Sequence, residues 1–464
     1  MKKLIFFLAL GLSAAMQAQV LYGLTPIGSN GAGTPGTLFS YDLASPKIKT
    51  EKVFSAAEGA RPLGSLVQAS NGKLYGLTYV GGEKNRGTLF EYDPATKASS
   101  VKYHFGSADG DAVFYNTGYN SLIEYNKKLY GMASGGGTGK GLIFEYDPSN
   151  SSYAIKATFN GLNGSEPYGD LTELNGKLYG MTKTGGANQL GVIFEYDPAT
   201  ASITKKVDFD RANGAGPEGK LTLVGSKFYG ITPDGGSTGS GNLFEYDPAT
   251  NTLINKINFG GDNGRNPSGF LCLAKNGRLY GSASGGGNFG QGYIFEYDAA
   301  TDAFSKKGHF GNDGDDAFLN AGGLMEASNG MFYGLTTWVY NDDVRGSLFK
   351  WDPTTGKIQL QEYFDGANGL QPRARLIELK AGSGLATAET AEAKVAVYPN
   401  PVSDALFLKG ISKASVKIYN MAGQLLHSET ISNGQLNVSR LAKGLYLVTV
   451  EAGGKTTTHK VVKE

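Results

Sequence analysis

Apolar and polar residues alternate along this chain in short runs, and no stretch carries the 3.6-residue period of an amphipathic helix. Residues 169 to 209 show the unit. "GDLTEL" is followed by Asn175-Gly176 and "KLYGMT"; a Gly-rich stretch leads to "GVIFEYD", then Asp197-Pro198 and "SITKKVDF". Asn-Gly favours the positive-φ turns that join hairpins, and Asp-Pro suits the start of a type I turn. The pattern predicts four antiparallel strands in about 50 residues, the size of a propeller blade.

The unit recurs. Tyr-Gly pairs begin at Tyr22, Tyr75, Tyr130, Tyr179, Tyr229, Tyr280 and Tyr333, 49 to 55 residues apart. Each precedes a Phe-x-aromatic-Asp run, at Phe39, Phe90, Phe144, Phe194, Phe244, Phe295 and Phe349. The first repeat lacks its first strand, and "QPRARLIELK" (371–380) supplies an orphan first strand after the seventh. Joined, the two complete one blade and leave no open sheet edge. The expected fold of residues 19–380 is therefore all-β, a seven-bladed β-propeller closed by its N- and C-terminal strands. The recurring aromatics are expected to pack between blades, and the recurring glycines to serve turns and bulges.

"AGSGLATAETAEA" (381–393) is small and polar and reads as a linker. Residues 394–464 alternate in about seven short segments, the pattern of a small Ig-like β-sandwich. At the other end, Lys2 and Lys3 precede an apolar run and Ala18, which predicts a signal peptide over 1–18. No later run is long enough to span a bilayer as a helix. Cys272 is the single cysteine, in an apolar strand pattern with no base nearby, so disulfides are excluded and an inert thiol is expected. With 43 Lys+Arg against 42 Asp+Glu, the net charge of +1 gives no reason to expect nucleic acid or an anionic membrane as partner. A monomer is expected.

The "NG-x-LYG-x-T" strand, the Gly-Gly loop and the "G-x-[LI]-F-x-YDP" strand, across residues 20–380, resemble the Gloeobacter/Verrucomicrobia-type tandem repeats of bacterial secreted proteins. That resemblance implies an architecture and no settled activity. Tyr398-Pro399-Asn400-Pro401, "VKIYNMAGQ" (416–424), the spaced Leu441–Val450 run and "KVVK" resemble the type A C-terminal sorting domain of the type IX secretion system. This implies the type IX machinery as partner, a producing cell of the Bacteroidota kind, and delivery across the outer membrane, either released or attached to the surface.

Strand parity sends the tight Asn-Gly and Asp-Pro turns to one end of the blades. The long, varied loops ("TKTGGANQLG", "FDRANGAGPEG") gather at the other end, which is the expected binding face. Departures from the repeat single out candidates there. The seventh loop, "TTWVYNDDVRG", presents Trp338, Tyr340, Asp342, Asp343 and Arg345, an aromatic with carboxylates and a guanidinium, as sugar rings are held. Two acidic loops, 104–120 and 309–323, carry Tyr115, Tyr119, Asp109 and Asp111, and Asp313, Asp315 and Asp316. Carboxylates so spaced can bind calcium, though two or three side chains fall short of its roughly six to eight oxygens and a solvated acidic turn is the simpler reading. His104 and His309 open these loops and are expected to hydrogen-bond within their blades. "SGGGTGKG" (134–141) joins two strands and lacks the helix a phosphate loop needs. No catalytic constellation stands out. The reading is a secreted propeller that binds a polysaccharide or surface protein without catalysis. The alternative is a carbohydrate-active enzyme, a hydrolase or lyase working through Asp residues at the channel mouth.

Overall fold

A computed structural model describes residues 19–28, 35–109, 120–311, 317–318, 323–339, 345–380, 397–398, 401–408, 414–420, 424–452 and 455–463. The expected signal segment 1–18 and linker 381–393 lie outside these. The chain divides into two compact units, residues 1–385 and 386–464.

The first unit is a succession of small antiparallel sheets, mostly of four strands and each built from one repeat in chain order. The fourth sheet is typical, running Ser165–Leu174, Lys177–Thr184, Val192–Asp197, Ser202–Asp208. One sheet mixes distant parts of the chain. Val20–Thr25 pairs with Thr37–Asp42 on one side and with Ile377–Glu378 on the other, in the register Leu21↔Glu378 and Tyr22↔Ile377.

The Tyr-Gly pair sits inside the second strand of each sheet, not at a turn. Its glycine lies opposite the phenylalanine of the third strand: Gly23↔Phe39, Gly76↔Phe90, Gly131↔Phe144, Gly180↔Phe194, Gly230↔Phe244, Gly281↔Phe295 and Gly334↔Phe349. A Cβ on Gly180 would stand 2.6 Å from the Phe194 ring, and the other six positions are as tight. These seven glycines therefore make room for a ring, which corrects the expectation of turns and bulges. Bulges do occur, in the pairing of third with fourth strands, as between Ile193 and Phe194.

With Gly clearing one side, the Phe and the following Tyr pack on the preceding sheet, while the Leu or Ile before them faces the next. Phe90 and Tyr92 join Tyr22 and Leu24 in one cluster, and Leu89 joins Tyr75 and Phe144 in another. The Tyr of six of the seven Tyr-Gly pairs meets the aromatic at the end of the next sheet's third strand, while Tyr179 packs on Phe228, which lies in turn on Tyr246. Ring centroids lie 6.2 Å apart for Tyr22–Tyr92, 6.4 Å for Tyr75–Tyr146, 6.2 Å for Tyr130–Tyr196, 5.9 Å for Tyr229–Tyr297 and 5.5 Å for Tyr280–Trp351. The same contact, 6.3 Å, joins Tyr333 of the seventh repeat to Tyr41 of the first.

In five of the seven repeats the hydroxyl of this tyrosine is satisfied by the glutamate of the third strand, at Glu91, Glu145, Glu195, Glu245 and Glu296; Ser40 and Lys350 stand there in the first and seventh. Tyr229 donates to Glu245 at 2.6 Å, and Lys227 donates to the same carboxylate at 2.6 Å. Burial pulls the Glu245 pKa up, but the Lys227 and Tyr229 hydrogen bonds outweigh it and hold the group below its ordinary value.

The long loops are held from the end of the fourth strand. Asp208 accepts the Ala187 N–H at 2.8 Å, and Asn258 accepts the Ser237 N–H at 2.8 Å. His104 and His309 take this place in their repeats, accepting from the Glu83 and Asn288 N–H groups through Nδ1 at 3.1 Å each. Both imidazoles thus do the hydrogen-bonding work expected of them.

In the second unit, Leu425–Ile431, Ala414–Asn420, Gly444–Ala452 and Lys455–Lys463 form one sheet, and Val397–Tyr398, Ala405–Leu408 and Gln435–Asn437 a second. Val402, Leu406, Val416, Ile418, Val448 and Val450 share its core.

Two outcomes follow. Gly180→Ala pushes a methyl into Phe194 and lowers unfolding free energy by about 1–3 kcal/mol in denaturant titration, as overpacking does. Phe194→Leu recovers part of that loss in the double variant, which a purely backbone effect of alanine would not allow. The second outcome concerns acid. Burial, then the nearby Lys306 cation, holds His309 below the usual imidazole value. Its folded pKa is the lower one, so its contribution is full above the unfolded value of about 6.5 and is lost as pH falls towards the folded value. His309→Asn supplies the acceptor the fifth repeat uses. Its Tm should decline less than that of the wild type between about pH 6.5 and 5, while His309→Ala lowers Tm at every pH.

Candidate functional site

The first strands of the sheets come so close together that five of the seven carry glycine at their entry, with Asn120 and Ala374 in the other two. A Cβ on Gly169 would lie 1.8 Å from the Gly219 oxygen, and one on Gly64 2.0 Å from the Asn120 oxygen. The residue after that approach precedes a buried leucine in each repeat: Ser65, Ser121, Asp170, Lys220, Phe270, Gly323 and Arg375 stand before Leu66, Leu122, Leu171, Leu221, Leu271, Leu324 and Leu376. Here the repeats differ chemically, and their side chains interact. Ser65 N–H donates to Ser121 Oγ (2.9 Å), Ser121 N–H to Asp170 Oδ1 (3.0 Å) and Arg375 N–H to Ser65 Oγ (3.0 Å). The Arg375 guanidinium pairs with Asp170 across 205 residues of sequence and lies 4.6 Å over the Phe270 ring.

Below this network is a cavity of about 610 Å³, lined by the first strands of the first, second, fourth, fifth, sixth and seventh repeats. Ser65, Lys220 and Arg375 line its inner part; Leu66, Leu223, Leu271, Leu273, Met325 and Ile377 form its walls; Lys275 and Glu326 stand beside the short turns at the other end. Lys275 N–H donates to Glu326 Oε2 at 2.6 Å, and its ammonium to the Ala327 oxygen at 3.0 Å. The Lys220 amine is held below the usual lysine value, first by burial and then by Arg375, with Asp170 opposing. Cys272 also lines the cavity, partly exposed, and burial pushes its thiol pKa up, which makes it a slow nucleophile.

Of the residues singled out from the loops, Asp111, Tyr115, Tyr119, Asp313, Asp315, Asp316, Tyr340, Asp342 and Asp343 lie outside the described residues. Asp109 Oδ2 accepts the Gly106 N–H at 2.9 Å, and its carboxylate also hydrogen-bonds Tyr103, so it structures its own loop. Arg345 is exposed, and its carbonyl accepts the Gln371 N–H at 2.9 Å. Trp338–Val339 pairs with Ala317–Phe318 in a separate two-stranded ladder, in the register Ala317↔Val339 and Phe318↔Trp338. Among the described residues, no three His, Cys, Asp or Glu side chains gather as metal ligands do. Sequence reasoning missed this first-strand network. Its signal was there, as one variable residue ahead of an invariable leucine in each repeat.

Family models match at both ends of this arrangement. The Gloeobacter/Verrucomicrobia repeat matches residues 12–244, 116–344 and 224–395, and the secretion system C-terminal sorting domain matches 396–464. Among solved structures, the chain is similar to a candidate 6-phosphogluconolactonase from Bacteroides fragilis, at 14% identity and TM-score 0.53, covering 79% of this chain and 99% of that one. It is also similar to the periplasmic gluconolactonase of Pseudomonas aeruginosa, at 15% identity and TM-score 0.52, covering 78% and 99%. At such identity the likeness is one of fold, all-β and propeller-like. Beta-agarase D of Zobellia galactanivorans is 30% identical over 70 residues, so the chain spans 15% of the length of that curated relative. No helix among the described residues is long and apolar enough to cross a membrane. The chain belongs to the Gloeobacter/Verrucomicrobia repeat family and ends in a type IX sorting domain, by which it is exported across the outer membrane to the cell surface or the extracellular space.

Proposed function

We propose that residues 19–380 form a seven-bladed propeller closed by Ile377–Glu378 on Val20–Thr25, and that its long-loop end binds a macromolecular ligand at the cell surface. The Tyr333–Tyr41 contact, which repeats the geometry of the other tyrosine pairs, supports the closed ring. So does Glu378, which accepts the Ser328 N–H at 2.7 Å as Glu124 accepts that of Ser70 at 2.8 Å. In this reading residues 1–18 are a removed signal peptide, 381–393 a linker, and 394–464 an Ig-like sorting sandwich.

One observation carries the ligand site. Two of the loops that depart from the repeat, the acidic loop after His309 and the Trp338 loop, pair with each other through Ala317–Phe318 and Trp338–Val339. Departures that are twenty residues apart in sequence thus become one feature at the loop end. In this reading Trp338 and Tyr340 are assigned to stacking and Asp342, Asp343 and Arg345 to hydroxyl groups, from the sequence of the loop, which suits a polysaccharide. A surface protein is the second class of ligand. Calcium is the ion the acidic carboxylates would hold, so binding is measured with and without a chelator.

Replacing residues 337–345 with the fourth repeat's 183–190 removes the departure and keeps the hairpin connection. Retention on a panel of immobilised polysaccharides should fall about tenfold or more, equivalent to about 1.4 kcal/mol, at unchanged Tm. Equal retention by both proteins, or none by the wild type, would overturn the reading. Release of sugar ends by the wild type, abolished in Asp343→Asn, would establish the enzyme alternative instead.

A further inference from the structure

The central cavity has a charge left over. At its inner part stand two cations, Lys220 and Arg375, and one anion, Asp170. The carboxylate is already engaged by the Ser121 N–H and by the Arg375 guanidinium, which also stacks on Phe270. Lys220 donates its backbone N–H to the Gly269 oxygen at 3.2 Å, but its ammonium has no ion-pair or hydrogen-bond partner among the described residues. Lys220 is partly buried, its side chain lines the cavity, and burial together with the neighbouring Arg375 lowers its proton affinity more than Asp170 raises it. A fold that needed only a plug at this position could use a leucine.

We propose that the cavity is a binding site for a small organic monocarboxylate with an aliphatic body, its head against the Lys220 ammonium and its body along the leucine walls. One negative charge balances the surplus. A dianion such as a phosphate monoester would overshoot it and meet the repulsion of Asp170. The walls beyond Lys220 are mainly aliphatic, from Leu223, Leu271 and Leu273 to Leu66 and Ile377, and the Thr172 and Thr222 hydroxyls among them already donate to the Leu221 and Leu271 oxygens, so the body that fits is apolar. The volume of about 610 Å³ falls within the roughly 300–1,000 Å³ of ordinary ligand pockets. The cavity extends to Lys275 and Glu326 beside the short turns, so this site is separate from the loop-end surface and does not depend on it.

Cys272 supplies a reporter, because the only thiol in the chain lines the cavity. In the full chain, octanoate should slow the reaction of Cys272 with a small thiol reagent, by about tenfold when present at about ten times its Kd. Octyl phosphate and 1-octanol, which share the body and change the head, should each need at least about tenfold higher concentration for the same protection. Lys220→Met should lose the preference for octanoate over 1-octanol while its Tm holds or rises, since a partly buried amine without an ion-pair partner among the described residues is removed. Leu223→Phe, which fills the cavity without touching the charge, should lose protection by all three probes. Equal protection by octanoate and 1-octanol in the wild type, or an undiminished octanoate preference in Lys220→Met, overturns the proposal. Preference for octyl phosphate would replace the carboxylate with a phosphate. Should Lys220→Met fail to fold, the wild-type comparison of the three probes and the Leu223→Phe result still decide it.

Discussion

Seven phenylalanine rings laid across seven glycines set the spacing of everything else in the first unit. The side of the second strand that carries glycine leaves a trough one ring deep, and the third-strand phenylalanine fills it. With the ring lying flat across its own sheet, the tyrosine two residues on is free to meet the tyrosine of the sheet before. The sheet can then approach its neighbour at one repeated distance, with centroid separations between 5.5 and 6.4 Å. Buried tyrosine hydroxyls would be a liability in such an interface. The paired glutamate and its lysine or arginine remove it, as at Tyr280, Glu296 and Arg278.

That regularity pushes chemical variety to the two ends of the strands. Where the chain enters the first strands, backbones approach so closely that most repeats need glycine there, and the residue that follows, a glycine only at Gly323, is where the repeats differ. Two serines, an aspartate, a lysine, a phenylalanine and an arginine occupy these places in a molecule whose other repeat positions barely change. At the opposite extreme of order, the loop after His309 and the loop of Trp338 lengthen and pair. A scaffold this uniform offers function two kinds of address, the centre and the loop end, and the chain departs from its repeat at both.

The strands, their number per repeat and the complementary terminal segments were legible because a two-residue period and a fixed Asn-Gly and Asp-Pro punctuation leave little choice of local structure. The tail was legible for the same reason, since Val416, Ile418, Val448 and Val450 alternate and all enter one core. The part played by the Tyr-Gly glycines was not. Nothing local distinguishes a glycine needed for a turn from one needed to admit a ring from the next strand. The inner network was hidden for a related reason. Ser65, Asp170 and Arg375 are far apart in sequence, and each looks like an ordinary polar residue at the start of a strand.

By itself, then, the order of residues determined the repeat, its period, its turns, the fate of the chain outside the cell and the complementarity of its two ends. All of these depend on neighbours within a few residues or on motifs read in line. Only the tertiary structure decided which carboxylate meets which cation, that Arg375 reaches Asp170 while Lys220 is left without a partner, and that Ala317–Phe318 pairs with Trp338–Val339. Those outcomes depend on how closely the first strands approach at the centre. That distance is set by packing between sheets, and no single repeat contains it.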